Sequence, residues 1–132
     1  MTAHATGSFD VTLTPLPAGD EVPGVARMSI EKVFHGDLEA VSKGLMLTAA
    51  TSVKGSAGYV AIEQVIGCLH GRRGTFVLQH SGTMTRGAPQ LTITVVPDSA
   101  SGELAGLAGT MAIAVAEGKH SYDFEYTLAD AR

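Results

Sequence analysis

The amino-acid sequence predicts an all-β protein, and within that class a closed eight-stranded antiparallel β-barrel. Apolar and polar residues alternate with a period of two along almost the whole chain, which is typical of strands with one buried face. Turn-forming residues interrupt this alternation at regular intervals, and no segment has a firm helical pattern. Short connections between consecutive strands favour an up-and-down or closely related barrel.

The composition indicates one folded domain spanning residues 1–132, with 45% hydrophobic and 17% charged residues. A formal net charge of −4 does not favour nucleic acid or an anionic membrane as a partner. No segment approaches the roughly 20 apolar residues of a membrane span. The N-terminal segment lacks the features of a signal peptide, and Cys68 has no partner for an intrachain disulfide. We therefore expect a cytoplasmic protein.

The first half of the chain contains three predicted strands. Alternation places the first two at 8–13 and 27–34, separated by a proline- and glycine-rich loop at 15–24. A third segment, 38–48, fits a strand, but Leu38, Val41 and Leu45 also fit helical spacing. Gly44 and the flanking strands favour the strand.

A hairpin is predicted from residues 59–69 and 74–85, with a four-residue loop at 70–73. In this register Leu69 pairs with Gly74, and Glu63 lies opposite His80 on a mainly apolar face. A further strand spans 90–96. The last hairpin turns at Glu117-Gly118, which pairs residues 115 with 120, 113 with 122, and 111 with 124.

Glu63 and His80 are the candidate catalytic residues. Burial raises the pKa of a carboxyl group and a nearby imidazolium lowers it, so such a pair can hold a proton near neutral pH and transfer it to a substrate. Two alternatives remain open at this point. The residues can form a structural buried pair, or both can face solvent.

Eight further residues are candidates for contact with an apolar ligand inside the barrel, or for plain core packing. Lys32 shares the inward phase of its strand, where it is a candidate electrophile, although its ammonium group can instead reach water at the barrel rim. Small residues such as Ala61, Gly67, Gly82, Gly109 and Ala114 favour an open cavity. The eight candidates are Lys32, Tyr59, Phe76, Leu78, Met111, Tyr122, Phe124 and Tyr126.

The sequence carries no recognisable cofactor or metal motif. The five histidines lie on separate segments, and the chain lacks paired Cys-x-x-Cys, a Walker loop and a nucleophile elbow. Gly102, Gly106 and Gly109 are followed by no helical pattern, which indicates a flexible entry to the seventh barrel strand. We expect no cofactor and no metal.

Five segments carry ordered motifs, namely 34–39, 58–63, 76–82, 102–110 and 120–124. Together they resemble the DUF3224 family of uncharacterised bacterial proteins. The resemblance covers nearly the whole chain and implies a barrel similar to that of allene oxide cyclase, a cup that is often oligomeric. We accordingly expect a homodimer or another homo-oligomer. That wider fold includes cofactor-free cyclases, although fold alone does not establish an activity.

Three functional hypotheses follow from this sequence. The first is a cofactor-independent cyclase or isomerase that acts on an apolar small molecule and uses Glu63 and His80 for proton transfer. The second is a non-catalytic carrier or binder of such a molecule. The third is a structural or interaction module whose barrel is filled by its own side chains.

Overall fold

The computed structural model describes residues 2–17 and 22–128 of the chain. Part of the predicted 15–24 loop, namely residues 18–21, and both ends of the predicted 1–132 domain lie outside these ranges. Every regular element within them is a β-strand. In chain order the strands are β1 (Ala3–Pro15), β2 (Val25–Gly36), β3 (Leu38–Ala50), β4 (Ala57–Leu69), β5 (Arg72–Thr85), β6 (Ala88–Val95), β7 (Ser101–Gly102), β8 (Ala108–Ala116) and β9 (Lys119–Thr127).

Eight of these strands form a closed antiparallel barrel, as the sequence predicts. Strands β1 to β6 pair consecutively, β8 pairs with β9, and the ring closes through β9 with β1 and β6 with β8. The two-residue β7 pairs with the start of β5 beside the barrel. Closure removes the free sheet edges that an open sheet of this size would present.

Strand β3 is extended, so the prediction of a strand at 38–48 is confirmed and the helical alternative is wrong. Leu38, Ala40 and Ser42 point into the barrel, whereas Val41 and Leu45 are exposed on its outer surface. The apolar residues that fit helical spacing therefore lie on both faces of one strand, and the period of two is the one that describes burial.

The β4–β5 hairpin differs from its predicted register by two residues. The turn contains only His70 and Gly71, whose φ values of 47° and 80° suit a two-residue type I′ turn. Leu69 therefore pairs with Arg72, and Glu63 lies opposite Leu78 rather than His80. A shift of two residues leaves every side chain on its predicted face, because the side-chain period in a strand is two.

The β8–β9 hairpin has the predicted register. Glu117 and Gly118 form the turn with positive φ angles, and Val115 pairs with His120, Ile113 with Tyr122, and Met111 with Phe124. Val115 itself is 63% exposed. The pairing was thus predictable from the turn, whereas the burial of residues near the turn was not.

Aromatic and aliphatic side chains fill most of the barrel interior. The β7–β8 connection covers the end of the barrel at which β4 ends and β5 begins, and it contributes Leu104 and Leu107 to the core. We call this the closed end. At the opposite end β3 ends and β4 begins. The largest fully buried apolar side chains are Phe34, Phe76, Phe124, Leu38, Leu69, Leu78, Ile93, Leu104 and Val65.

The small residues do not leave the open interior that the sequence suggests. A Cβ atom on Gly67 would collide with the backbone of β3, and one on Gly109 would collide with the backbone of β9. These glycines therefore allow neighbouring strands to approach closely. At Gly82 the available space is occupied by the ring of Tyr59, whose Cε1 would lie 2.5 Å from an added Cβ.

Candidate functional site

Four polar residues are buried inside the described part of the barrel, and they lie together. Lys32 on β2, Ser42 on β3, Glu63 on β4 and His80 on β5 each expose at most 4% of their surface. Each occupies an inward position of its strand, and the four strands are consecutive neighbours in the barrel wall. We call these four residues the polar cluster.

Glu63 is the centre of the polar cluster. Its Oε1 accepts hydrogen bonds from Lys32 Nζ at 3.2 Å and from His80 Nε2 at 2.8 Å. Its Oε2 accepts a hydrogen bond from the hydroxyl of Ser42. The even register shift keeps Glu63 and His80 on one face as diagonal neighbours, so they meet although they are not directly opposite.

The hydrogen-bond donors around Glu63 keep its carboxyl group ionised. Burial by itself would raise the pKa of Glu63, but the hydrogen bond from His80, the charge of Lys32 and the hydrogen bond from Ser42 outweigh it. The pKa of Glu63 is therefore lower than usual. The lowered pKa favours the carboxylate form, so Glu63 supplies the negative charge of the pair, and proton transfer by Glu63 and His80 stays a prediction.

Lys32 lies inside the barrel and not at its rim. Its Nζ is 4.9 Å from the ring centroid of Phe9 and 5.6 Å from that of Phe34, in addition to its ion pair with Glu63. The two rings and the carboxylate together compensate for the loss of hydration of the ammonium group. The alternative in which the ammonium group of Lys32 reaches water at the barrel rim is thus wrong.

His80 connects the polar cluster to Tyr59. Tyr59 Oη lies 3.4 Å from His80 Nδ1, a long hydrogen bond. Because Lys32 and Glu63 already balance each other's charge, a neutral imidazole leaves the cluster with no net charge. In that form Nε2–H donates to Glu63 and Nδ1 accepts the hydroxyl proton of Tyr59. Burial raises the pKa of Tyr59, and the charge of Glu63 raises it further, so the hydroxyl stays protonated.

Tyr59 also lines a pocket at the end of the barrel opposite the closed end. The pocket has a volume of about 370 Å³ and lies where β3 and β5 end and β4 and β6 begin. Met46, Met84 and Leu91 form part of its wall. This end pocket is within the size range of small-molecule sites. Tyr59 consequently borders both the pocket and the polar cluster.

The other candidate ligand contacts pack in the core and do not line the end pocket. Phe76 and Phe124 stack with their ring centroids 5.8 Å apart, and Leu78 and Met111 belong to the same core. Their burial is typical of structural residues.

Tyr122 and Tyr126 use their hydroxyl groups to hold turns at the closed end. Tyr122 Oη accepts the N–H of Leu38 at 2.9 Å and donates to the carbonyl of His35 at 2.9 Å, across the β2–β3 turn. Tyr126 Oη lies 2.5 Å from Nδ1 of His70 in the β4–β5 turn. Neither hydroxyl is directed into the end pocket.

Ser42 is the member of the polar cluster that sequence reasoning missed. It shares the inward phase of β3 with Leu38, Ala40 and Met46, so the alternation pattern could have placed it inside the barrel. A polar residue in an inward phase is a signal that a hydrogen-bond partner lies on a neighbouring strand.

Among the described residues, no group of three or more His, Cys, Asp or Glu side chains could hold a metal ion.

Fold and site together define a small antiparallel β-barrel with a buried acid–base cluster and an apolar pocket at one end. The chain belongs to the DUF3224 family, described as proteins of unknown function, whose sequence profile matches residues 5–126. None of the curated proteins with which the sequence was compared matches it.

A solved crystal structure is also similar to this chain. It is a protein of unknown function from the DUF3224 family of Shewanella oneidensis MR-1, with 54% sequence identity and a TM-score of 0.92. The match covers 99% of this chain and 100% of that protein. The likeness to the allene oxide cyclase barrel stays a prediction.

The described part of the chain contains no helix long and apolar enough to cross a membrane.

Proposed function

We propose that this barrel binds an apolar small molecule in the end pocket and holds one polar group of that molecule at Tyr59. The observation that carries the proposal is the position of Tyr59, which lines the pocket of about 370 Å³ and contacts His80 behind it. Ligand sites commonly combine a mainly apolar wall with a few polar groups that fix orientation.

The hydrogen bonds behind Tyr59 specify the polar group of the ligand. With a neutral His80, the single hydroxyl proton of Tyr59 is donated to Nδ1, and the oxygen keeps lone pairs for a donor in the pocket. A hydroxyl group on an apolar body therefore fits the site. The ligand class is an apolar alcohol or phenol small enough to enter the end pocket.

Binding is tested with the apolar fluorophore Nile red. Ala50→Trp places a large ring in the pocket wall and is expected to weaken dye binding at least about tenfold. Val115→Trp introduces the same side chain on exposed β8 and should leave the affinity unchanged. Equal affinities in both variants, or loss of binding in Leu45→Glu on the outer surface, would show that the dye does not occupy the pocket.

The hydrogen-bond chain from Tyr59 through His80 to Glu63 favours a second candidate function, proton transfer without a cofactor. In this reaction Tyr59 accepts a proton from the ligand while its own proton passes to His80 Nδ1. The carboxylate of Glu63 stabilises the resulting imidazolium. Tyr59 then gives its proton to another atom of the ligand anion and takes back a proton from His80 Nδ1. The product is an isomer of the ligand. Tyr59 is then the catalytic residue, and His80 and Glu63 act through it.

Proton transfer is tested by hydrogen–deuterium exchange of cyclohexanone next to its carbonyl group in heavy water, followed by NMR. Catalysis predicts that the wild-type chain accelerates exchange and that Tyr59→Phe abolishes the acceleration. An equal rate with and without protein would leave binding as the function. Persistent acceleration in Tyr59→Phe would exclude the route through Tyr59.

A further inference from the structure

The outer face of β2, β3 and β4 exposes an unusual number of large apolar side chains. Seven of them are between 44% and 62% exposed, more than half of the exposed large hydrophobic residues in the described part of the chain. They point outward because the residues next to them in sequence point into the barrel. We call this surface the outer apolar face. Its residues are Val33 on β2, Val41, Leu45 and Leu47 on β3, and Val60, Ile62 and Ile66 on β4.

Strand register arranges these side chains in rows across the face. Val33, Val41 and Ile66 form one row near the closed end of the barrel. Leu45 with Ile62, and Leu47 with Val60, form two rows toward the end pocket. Cross-strand neighbours in a row are close enough to present one continuous apolar surface.

A row of polar residues divides the apolar rows. Glu31 pairs with Lys43, and Lys43 pairs with Gln64, between the row of Val41 and the row of Leu45. The row therefore contains one acid and one base, with no net charge. A surface that presents both charges together is complementary to itself.

We propose that the outer apolar face is the contact surface between two copies of this chain in a homodimer. The seven side chains on the two sides of the polar row together expose on the order of 600 Å², comparable to the largest apolar patch of a typical monomer. With the flanking polar rim this area approaches the roughly 800 Å² per partner of a stable interface.

The opposite charges on the outer apolar face favour a second copy of this chain as the partner that covers it. In an isologous contact, each copy supplies the same patch, so Glu31 of either copy reaches Lys43 of the other. The apolar rows on either side of this charged row exclude water from the contact. The net charge of −4 of the chain disfavours an anionic lipid surface as the partner of this face. This inference does not rest on the proposed function of the end pocket.

The oligomeric state of the full chain is measured by sedimentation equilibrium at micromolar concentrations. We expect a dimer for the wild type. Val60→Lys should weaken association at least about a hundredfold, because it places a charge among buried apolar groups. Val115→Lys makes the same substitution at an exposed valine of β8 and should leave the dimer intact. A monomeric wild type, or equal dimers in both variants, would overturn the proposal.

A charge exchange tests the pairing independently of local stability. Glu31→Lys leaves two lysines and Lys43→Glu leaves two glutamates on the face, so each variant alone should be monomeric through repulsion. In each variant the cross-strand pair at positions 31 and 43 carries like charges, so only contact between chains can bring opposite charges together in a mixture. We expect a mixed dimer. A mixture that stays monomeric while both variants are folded by circular dichroism would overturn the proposed charge pairing.

Discussion

At the scale of single residues, Tyr59 joins the apolar pocket to the polar cluster. Its hydroxyl distinguishes a ligand that can donate a hydrogen bond from one that cannot. We predict that the wild type binds naphthol more tightly than naphthalene, by about three- to tenfold, the usual net worth of one hydrogen bond. Tyr59→Phe should abolish this preference while binding naphthalene as before. Isothermal titration calorimetry measures both affinities, and a preference that survives in the variant would place the polar group elsewhere.

Glu63 couples the stability of the barrel to pH. Its pKa is lowered in the folded chain, so the unfolded state takes up a proton at a higher pH than the folded state does. The stability that Glu63 contributes is therefore present above its ordinary pKa of 4.5 and is lost as the pH falls through its lower folded value. We predict that the free energy of unfolding falls more steeply in acid for the wild type than for Glu63→Gln, by at most about 1.4 kcal/mol per pH unit.

Urea unfolding at a series of pH values measures this difference. Glu63→Gln should also lose about 3 kcal/mol at neutral pH, because it leaves the buried ammonium group of Lys32 without a counter-ion. The double variant Lys32→Met with Glu63→Gln removes both charges and should regain part of that loss. Parallel pH profiles for the wild type and Glu63→Gln would show that Glu63 is not linked to folding.

At the scale of elements, the contact between β3 and β4 depends on Gly44. A Cβ at this position would collide with the backbone of β4 at Ile62 and would lie 2.7 Å from the Cα of Glu63. We predict that Gly44→Ala destabilises the chain by about 2 kcal/mol by forcing the strands apart. Gly58→Ala on β4 is the matched control, since its nearest atom would be 3.6 Å away. Thermal unfolding of both variants makes the comparison, and equal losses would contradict this account.

The β4–β5 hairpin shows which parts of an element are readable from sequence. Alternation placed Glu63 and His80 on one and the same face, and that prediction tolerates any register shift of an even number of residues. The turn length was misread because the charged residues Arg72 and Arg73 were counted as part of the loop, although they are the first two residues of β5. At β8–β9 the dipeptide Glu117-Gly118 carried a clearer signal, and there the whole register is confirmed.

At the scale of the whole molecule, the barrel wall is weakest between β6 and β8. Among the described residues, these strands share one bridging pair, Thr94 with Thr110, whereas β3 and β4 pair along their full length. We predict that the amides of β8 facing β6 exchange with heavy water at least about tenfold faster than those between β3 and β4. Native-state hydrogen exchange by NMR tests this, and uniform protection around the barrel would contradict it.

The closed barrel was predictable from the sequence, but the end pocket was not. Alternation and turns determine which side chains face inward, and they correctly placed Phe76, Leu78 and Phe124 in the interior. Whether inward residues leave space depends on how closely the strands approach and on what covers each end. Leu104 and Leu107 close one end from a connection that shows no period of two, so only the three-dimensional structure locates the open end.

The polar cluster has a consequence for how the chain folds. Its four residues come from β2 to β5, which are successive strands joined by short connections, so the ion pair can assemble through local hairpins. Pairing of β1 with β9 joins strands from opposite ends of the chain, and it incurs the largest loop-closure entropy. Lys32 and Glu63 can thus form their ion pair before the barrel closes. A folding intermediate in which β1 and β9 are still unpaired would already contain the native polar cluster.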